Sequence, residues 1–268
     1  MVRLSRLLAF VGFLALWPDG YTHAAPPAVS PGAGAETGPS STAVTEQERL
    51  PLIRQLLEVP VENTVNPATF DVTISRWQKR YWVVFVRVLK DERASRAALG
   101  LYADGEKPVP ARKLASSGPL EAKEPMSFER LDLANFRVTK TEVALGVWLK
   151  RRTAYAGGFG EADVLELFMR RGTDLSSIFS TAMRYDCDLA GDWNEDGSRD
   201  RTEASGESVL VVSKNKTDGY FDLVQRSGKT VIEIFQWSGN GYTGSIPLEK
   251  RRRHDAWGND CEVTEIHD

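Results

Sequence analysis

Residues 81–89 read Tyr-Trp-Val-Val-Phe-Val-Arg-Val-Leu, and Arg87 is the only charged residue in this run. A continuous apolar run of this length, rich in β-branched and aromatic residues, is typical of a strand that is buried on both faces. Residues 143–149 form a second run of the same kind. Both runs predict central strands, so the fold is expected to be built around a sheet.

Weaker patterns extend this sheet along the chain. Phe70, Val72 and Ile74 alternate with polar residues, as expected for a strand with one face in water. Residues 91–125 contain several glycines and prolines, which predict loops and short strands there. Residues 237–242 read as a hairpin turn.

A weak internal repeat connects two later segments. Residues 164–179 and residues 220–235 each read as strand, turn and strand, with a glycine in the turn. The corresponding positions are Leu167 with Leu223, Glu166 with Asp222, and Ile178-Phe179 with Ile234-Phe235. The similarity indicates either a repeated hairpin or a chance likeness between two hairpins.

One helix is predicted, at residues 45–58. Thr45 and Glu48 have the spacing of a capping box, and Pro60 ends the segment. The apolar residues that share one face of this helix are Leu50, Ile53 and Leu57. The chain is therefore predicted to be mostly β, an antiparallel sandwich or partial propeller-like sheets, with one short N-terminal helix.

The composition excludes no globular fold but argues against one class of partner. With 41% apolar and 26% charged residues, the 268-residue chain is an ordinary globular protein of one large or two small domains. Its formal charge of -3 leaves no excess of Lys and Arg to neutralise phosphates. We therefore expect no nucleic-acid partner.

The N-terminus has the parts of a secretory signal peptide. Two arginines precede an apolar core at residues 7–17, which is too short to span a bilayer as a mature helix. Thr22 and Ala24 place small residues at the positions that signal peptidase requires. We expect residues 1–24 to be removed, leaving a periplasmic or secreted protein with no stable membrane insertion.

The mature chain begins with a linker. Residues 25–44 are rich in Pro, Gly, Ser and Thr and nearly lack bulky apolar residues, which predicts disorder. The β-rich domain is then expected at residues 45–268. A division of that domain into subdomains at residues 45–160 and 161–268 stays open.

The chain contains two cysteines, Cys187 and Cys261. In an oxidising compartment an even pair favours a disulfide, so we predict that these two residues are linked. The alternative is a pair of reduced thiols.

Residues 192–203 are the only segment in which the spacing of polar side chains predicts a specific ligand. Oxygen-bearing side chains recur at positions 1, 3, 5, 7, 9 and 12 of a twelve-residue loop, and Gly197 stands at position 6. A hard cation such as Ca²⁺ is bound by this kind of loop. The predicted metal ligands are Asp192, Asn194, Asp196, Ser198, Asp200 and Glu203.

The segment at residues 191–200 resembles the calcium loops of FG-GAP and VCBS-type repeats, in which a Gly-Asp-aromatic-Asn-x-Asp-Gly-x-x-Asp pattern binds Ca²⁺ between strands. The resemblance implies folds that serve adhesion and carbohydrate or protein binding. The chain departs from that family because Arg201 replaces the usual apolar residue and no second copy of the loop is found. The alternative is an acidic hairpin turn with salt bridges to Arg199 and Arg201.

No catalytic motif accompanies this loop. The chain has neither a His-Glu-x-x-His nor a Gly-x-Ser-x-Gly run, and His254 and His267 both lie near the C-terminus. A basic run at residues 250–254 is read as a solvated loop. As a whole the chain resembles exported bacterial proteins, a resemblance that implies no activity.

Three functions are consistent with these observations. The first is a non-enzymatic binding or interaction module of the cell envelope, stabilised by Ca²⁺, with an envelope protein or glycan as partner. The second is a periplasmic inhibitor or immunity protein that blocks an active site. The third is a carboxylate-based hydrolase, which would require a cleft lined by paired acids with raised pKa values.

Overall fold

A computed structural model of the chain describes residues 45–60, 66–90, 93–105, 112–123, 125–155 and 158–244. Helix α1 spans Glu46–Leu57, and a short 3-10 turn spans Pro67–Thr69. The described strands are β1 Phe70–Trp77, β2 Tyr81–Lys90, β3 Arg93–Ala103, β4 Lys113–Glu121, β5 Met126–Arg137, β6 Val143–Tyr155, β7 Gly158–Arg171, β8 Asp174–Trp193, β9 Arg199–Glu207, β10 Val209–Thr217, β11 Tyr220–Ser227, β12 Thr230–Ser238 and β13 Gly241–Gly244. The fold is mostly β with one short helix, as predicted.

The helix begins where its capping box predicts. The Thr45 hydroxyl accepts a hydrogen bond from the Glu48 amide, and the Glu48 carboxylate accepts one from the Thr45 amide. These reciprocal bonds satisfy backbone donors that the first helical turn leaves free. Among the described residues no helix is long and apolar enough to cross a membrane.

The nine-stranded first sheet contains both predicted central strands, β2 and β6. Its order is β1-β2-β3-β4-β8-β7-β6-β5, and β9 pairs with the later part of β8, from Arg184 to Trp193. Every pairing is antiparallel except that of β4 with β8, which is parallel and rests on Ser116 and Asp174. The sheet continues through β6 and β7, across residues 160 and 161.

One apolar core lies on the inner face of this sheet, and both ends of the strand order contribute to it. Phe85 of β2 and Phe128 of β5 pack edge to face, with ring centroids 6.5 Å apart. Beside them, the Arg87 guanidinium pairs with Asp71 of β1 and donates to the Phe128 carbonyl oxygen at 3.1 Å. The sheet therefore curves until β5 approaches β1 and β2.

Helix α1 covers the outer face of β1 to β3. Leu52, Ile53 and Leu56 pack there against residues of β2 and β3 such as Val84. The close approach depends on Gly100 of β3, because a Cβ atom at that position would lie 2.6 Å from a methyl group of Leu56.

The second sheet has four strands in the order β10-β11-β12-β13 and covers the outer face of β7 and β8. The two segments of the weak sequence repeat are the β7–β8 and β11–β12 hairpins. Their corresponding residues meet: Phe179 and Phe235 pack edge to face at 4.8 Å between centroids. Leu167 and Leu223 are fully buried in the same core. The sequence predicted either an antiparallel sandwich or propeller-like sheets. In this part of the protein two sheets pack face to face around a shared core.

The prediction of loops and short strands at residues 91–125 was wrong for most of that segment. It contains β3 and β4, which are eleven and nine residues long. The glycines that predicted loops have other structural roles in this segment. Gly100 makes room for Leu56 inside a regular strand, and Gly118, with φ of +67°, marks an irregularity inside β4.

The packing of the two sheets makes a direct prediction for two neighbouring residues of β12. Replacing Phe235 with Ala should lower the free energy of unfolding by about 3–5 kcal/mol, because the deletion leaves a cavity between the sheets. Ile234→Ala, on the exposed face of the same strand, should cost less than about 1 kcal/mol. Urea unfolding followed by circular dichroism measures both changes, and equal losses would contradict this arrangement.

Candidate functional site

The acidic loop predicted to bind calcium forms the tip of the β8–β9 hairpin. The Asn194 amide donates to the Ser198 carbonyl oxygen at 2.8 Å, and the Gly197 amide donates to the Asn194 carbonyl oxygen at 3.0 Å. Gly197 has φ of +80°, a conformation that glycine adopts without strain. The loop therefore joins two strands, β8 and β9.

Four of the six predicted ligands come together in this turn. Asp196 accepts hydrogen bonds from the Ser198 amide at 2.8 Å and from its hydroxyl at 2.6 Å, and these bonds lower the pKa of the Asp196 carboxyl. The Asn194 side-chain amide donates to the Ser198 hydroxyl at 3.0 Å and to the Asp200 carboxylate at 3.3 Å. The turn thus keeps these oxygen-bearing side chains within reach of one another.

The remaining two predicted ligands lie on the strands. Asp192 belongs to β8, and the structure does not describe its side chain. Glu203 belongs to β9 and stands opposite Asp188 of β8 in the register. Within the described part of the chain, no group of three or more His, Cys, Asp or Glu side chains is arranged to hold a metal ion. Calcium binding therefore stays a prediction.

The two arginines of the hairpin have separate partners. Arg201 forms an ion pair with Asp188, outside the turn. Arg199 donates to the Gly191 carbonyl oxygen at 2.9 Å, and its guanidinium carbon lies 4.9 Å from the centroid of the Trp193 ring. Of these contacts only the one between Arg201 and Asp188 is a salt bridge, and it joins the two strands of the hairpin.

Calcium should stabilise the protein through this turn if the prediction holds. At a free concentration of a hundred times the dissociation constant, bound Ca²⁺ would add roughly 2.7 kcal/mol to the free energy of unfolding. Asp196→Ala should remove that gain, whereas Asp218→Ala, an exposed acid in the β10–β11 turn, should keep it. Thermal unfolding in EDTA and in millimolar CaCl₂ measures the difference, and an unchanged wild-type midpoint would show that the loop is only a turn.

The predicted disulfide is partly within the described structure. Cys187 is buried in the inner core on β8. Cys261 lies outside the described residues, as do the signal peptide, the linker, the basic run and both C-terminal histidines. The link between the two cysteines stays a prediction.

A partly buried carboxyl lies on the inner side of β7. Burial raises the pKa of Glu166, and a hydrogen bond with Ser177 offsets part of that rise. The hydrolase alternative requires two such acids in one cleft. The group that hydrogen-bonds to Glu166 is the serine Ser177, not a second acid. A single carboxyl beside a serine is not the acid pair that this alternative requires, so the hydrolase function stays a prediction.

The partly buried Glu166 carboxyl predicts an unusual pH dependence. Because the folded-state pKa of Glu166 is raised, the folded protein holds its proton longer than the unfolded chain, and stability falls as pH rises above the ordinary pKa. Glu166→Gln should therefore raise the melting temperature at pH 7 and have little effect near pH 3.

Glu161 provides a control of opposite sign. Burial raises the pKa of Glu161, but hydrogen bonds from Lys150 and Arg152 outweigh that effect and hold the pKa below its ordinary value. Its stabilising contribution is present above the unfolded-state pKa and is lost as pH falls. Glu161→Gln should thus lower the melting temperature at pH 7. A destabilised Glu166→Gln variant at that pH would contradict the assignment for Glu166.

The second sheet presents an unusual surface to solvent. Along β10, Leu210 and Val212 point into the core between the sheets, and Val209 and Val211 are 56% and 42% exposed. The register places Val211, Val224 and Ile234 in one row across three strands, and Val209, Arg226 and Val231 in the next. We call the exposed side chains of Val209, Val211, Val231 and Ile234, together with the half-buried Val224 between them, the aliphatic face.

The aliphatic face holds most of the exposed apolar residues. Of the six large apolar side chains that are exposed in the described structure, four belong to it, and the other two are the aromatic residues Phe159 and Trp193. Sequence reasoning missed this surface because the run at residues 209–212 is continuously apolar, which is equally typical of a strand covered on both sides.

The exposed charges of the second sheet are mostly positive. Its exposed cations are Lys214, Lys216, Arg226 and Lys229. Of its three acids, Asp222 and Glu233 are buried, and Asp218 alone is exposed. The aliphatic face therefore belongs to a cationic sheet in a chain whose formal charge is -3.

A comparison with known proteins finds no family model, no curated protein and no solved structure that matches this chain. The function must therefore be inferred from the chemistry of the described surfaces.

Proposed function

We propose that the protein is a non-enzymatic binding module of the cell envelope, and that it binds a polypeptide partner through the aliphatic face. The observation that carries this proposal is the concentration of exposed aliphatic side chains on one side of one sheet. Such clusters on a protein surface mark interaction sites, because leaving them in water is unfavourable.

The chemistry of the face favours a polypeptide over a glycan. Sugar rings are held by flat aromatic side chains, and the side chains of this face are β-branched and aliphatic. A polypeptide can place apolar side chains between the rows of Val211 and Val209 while its backbone or rim reaches the polar groups around them. The sheet's exposed cations, four against one acid, indicate an acidic partner segment.

The cellular setting is part of the same proposal. The predicted signal peptide and disulfide support export to the periplasm or beyond. Calcium, if it binds the β8–β9 turn, would stabilise the module at a position distinct from the aliphatic face.

Site-directed photo-cross-linking in producing cells tests this function. With p-benzoylphenylalanine in place of Val211, ultraviolet light should form cross-links to a polypeptide. The matched control places the same group at Glu121, an exposed residue of β4 in the first sheet, and should give none. Adding Ile234→Lys to the Val211 probe should abolish the product, because a buried unpaired charge opposes docking. Equal labelling from positions 211 and 121 would contradict the proposal.

A further inference from the structure

The β8–β9 hairpin has the chemistry that the aliphatic face requires of a partner. Residues 186–207 contain eight acids and two arginines, a formal charge of -6 in a chain whose total is -3. The remainder of the chain is therefore net positive. The hairpin and the second sheet therefore carry exposed charges of opposite sign, which favours contact between them.

The hairpin also offers an apolar anchor. Trp193, at the end of β8, is 70% exposed, although large aromatic side chains are usually mostly buried. Arg199 stacks on the ring and is itself held by its hydrogen bond to the Gly191 carbonyl oxygen. The indole is thus supported in one orientation before any partner arrives, which lowers the entropic cost of docking.

We infer that the partner is a second copy of this chain, with the β8–β9 hairpin of one copy docked on the aliphatic face of the next. This inference rests on the proposed function. Trp193 would pack between the aliphatic rows, and the carboxylates around it would face Arg226 and the exposed lysines of the second sheet. Because the two surfaces differ, the contact is heterologous and produces head-to-tail chains of molecules.

The structure disfavours the alternative of two aliphatic faces packed on each other. Arg226 stands within the rows of the face, so such a dimer would bring two copies of this positive charge together. Like charges in one interface oppose association. The head-to-tail contact instead joins opposite charges. A single hairpin on a single sheet face is a small interface, for which weak affinity is expected.

Sedimentation equilibrium of the full chain in EDTA tests this inference. Over roughly 1 µM to 1 mM, the range of weak association, the weight-average mass should rise continuously past that of a dimer. The rise should be smaller in high salt, because the attraction between the hairpin and the sheet is screened. A monomer at every concentration would overturn the inference.

Variants of each surface identify the contact. Ile234→Lys on the face and Trp193→Ala on the hairpin should each weaken association by about tenfold or more. Ser95→Lys adds the same charge at an exposed position of β3, and Phe159→Ala removes the other exposed aromatic side chain. Neither control should change association, and circular dichroism should show that all four variants fold.

Mixing the two defective variants distinguishes a head-to-tail contact from a face-to-face one. The Ile234→Lys variant retains its hairpin and the Trp193→Ala variant retains its face, so the equimolar mixture should form dimers but nothing larger. Normal self-association of Trp193→Ala, with no complementation in the mixture, would indicate a face-to-face dimer and overturn the inference.

The cross-linking experiment separates this inference from the proposed function. If position 211 cross-links to a different polypeptide while the purified chain stays monomeric, the self-association is wrong and the binding function stands. If position 211 gives no cross-link and the chain is monomeric, both are wrong.

Discussion

The structure depends on strands that are apolar on both faces. In β2, Val83 and Phe85 point to the inner core, and Val84 and Val86 point outward, yet all four are fully buried. A strand of this kind needs cover on both sides, since each exposed Val or Phe would forgo about 1.5–3 kcal/mol of burial. Curvature supplies the inner cover, and α1 and the second sheet supply the outer one.

Close contact between these layers depends on a few positions without side chains. Gly100 allows Leu56 of α1 to touch β3, as described above. Gly241 has the same role for the second sheet, because a Cβ atom there would lie 2.8 Å from the Ile178 carbonyl oxygen of β8. The covers are therefore fitted to the first sheet by backbone contact as well as by apolar side chains.

The same covering arrangement creates the proposed binding surface. The second sheet uses Leu223 and Phe235 to cover β7 and β8, and this leaves its other side without a partner in the described structure. That side would be unremarkable if it were polar, as in most half-buried antiparallel sheets. Because it carries Val211 and Ile234 instead, the sheet behaves as a layer that is still uncovered. The acidic hairpin with its exposed Trp193 offers the opposite charge and an apolar side chain that such a layer could cover.

The residues alone determined the local elements. Capping by Thr45 and the two apolar runs predicted α1, β2 and β6 because these signals are read between neighbours in the chain. The acidic turn was placed between strands for the same reason.

Tertiary structure decided which face of each strand is buried. Residues 209–212 are apolar without interruption, so their sequence cannot show that Leu210 is covered and Val211 is exposed. That distinction depends on β7 and β8, which lie far away in sequence, and a strand's period of two allows either face to turn inward.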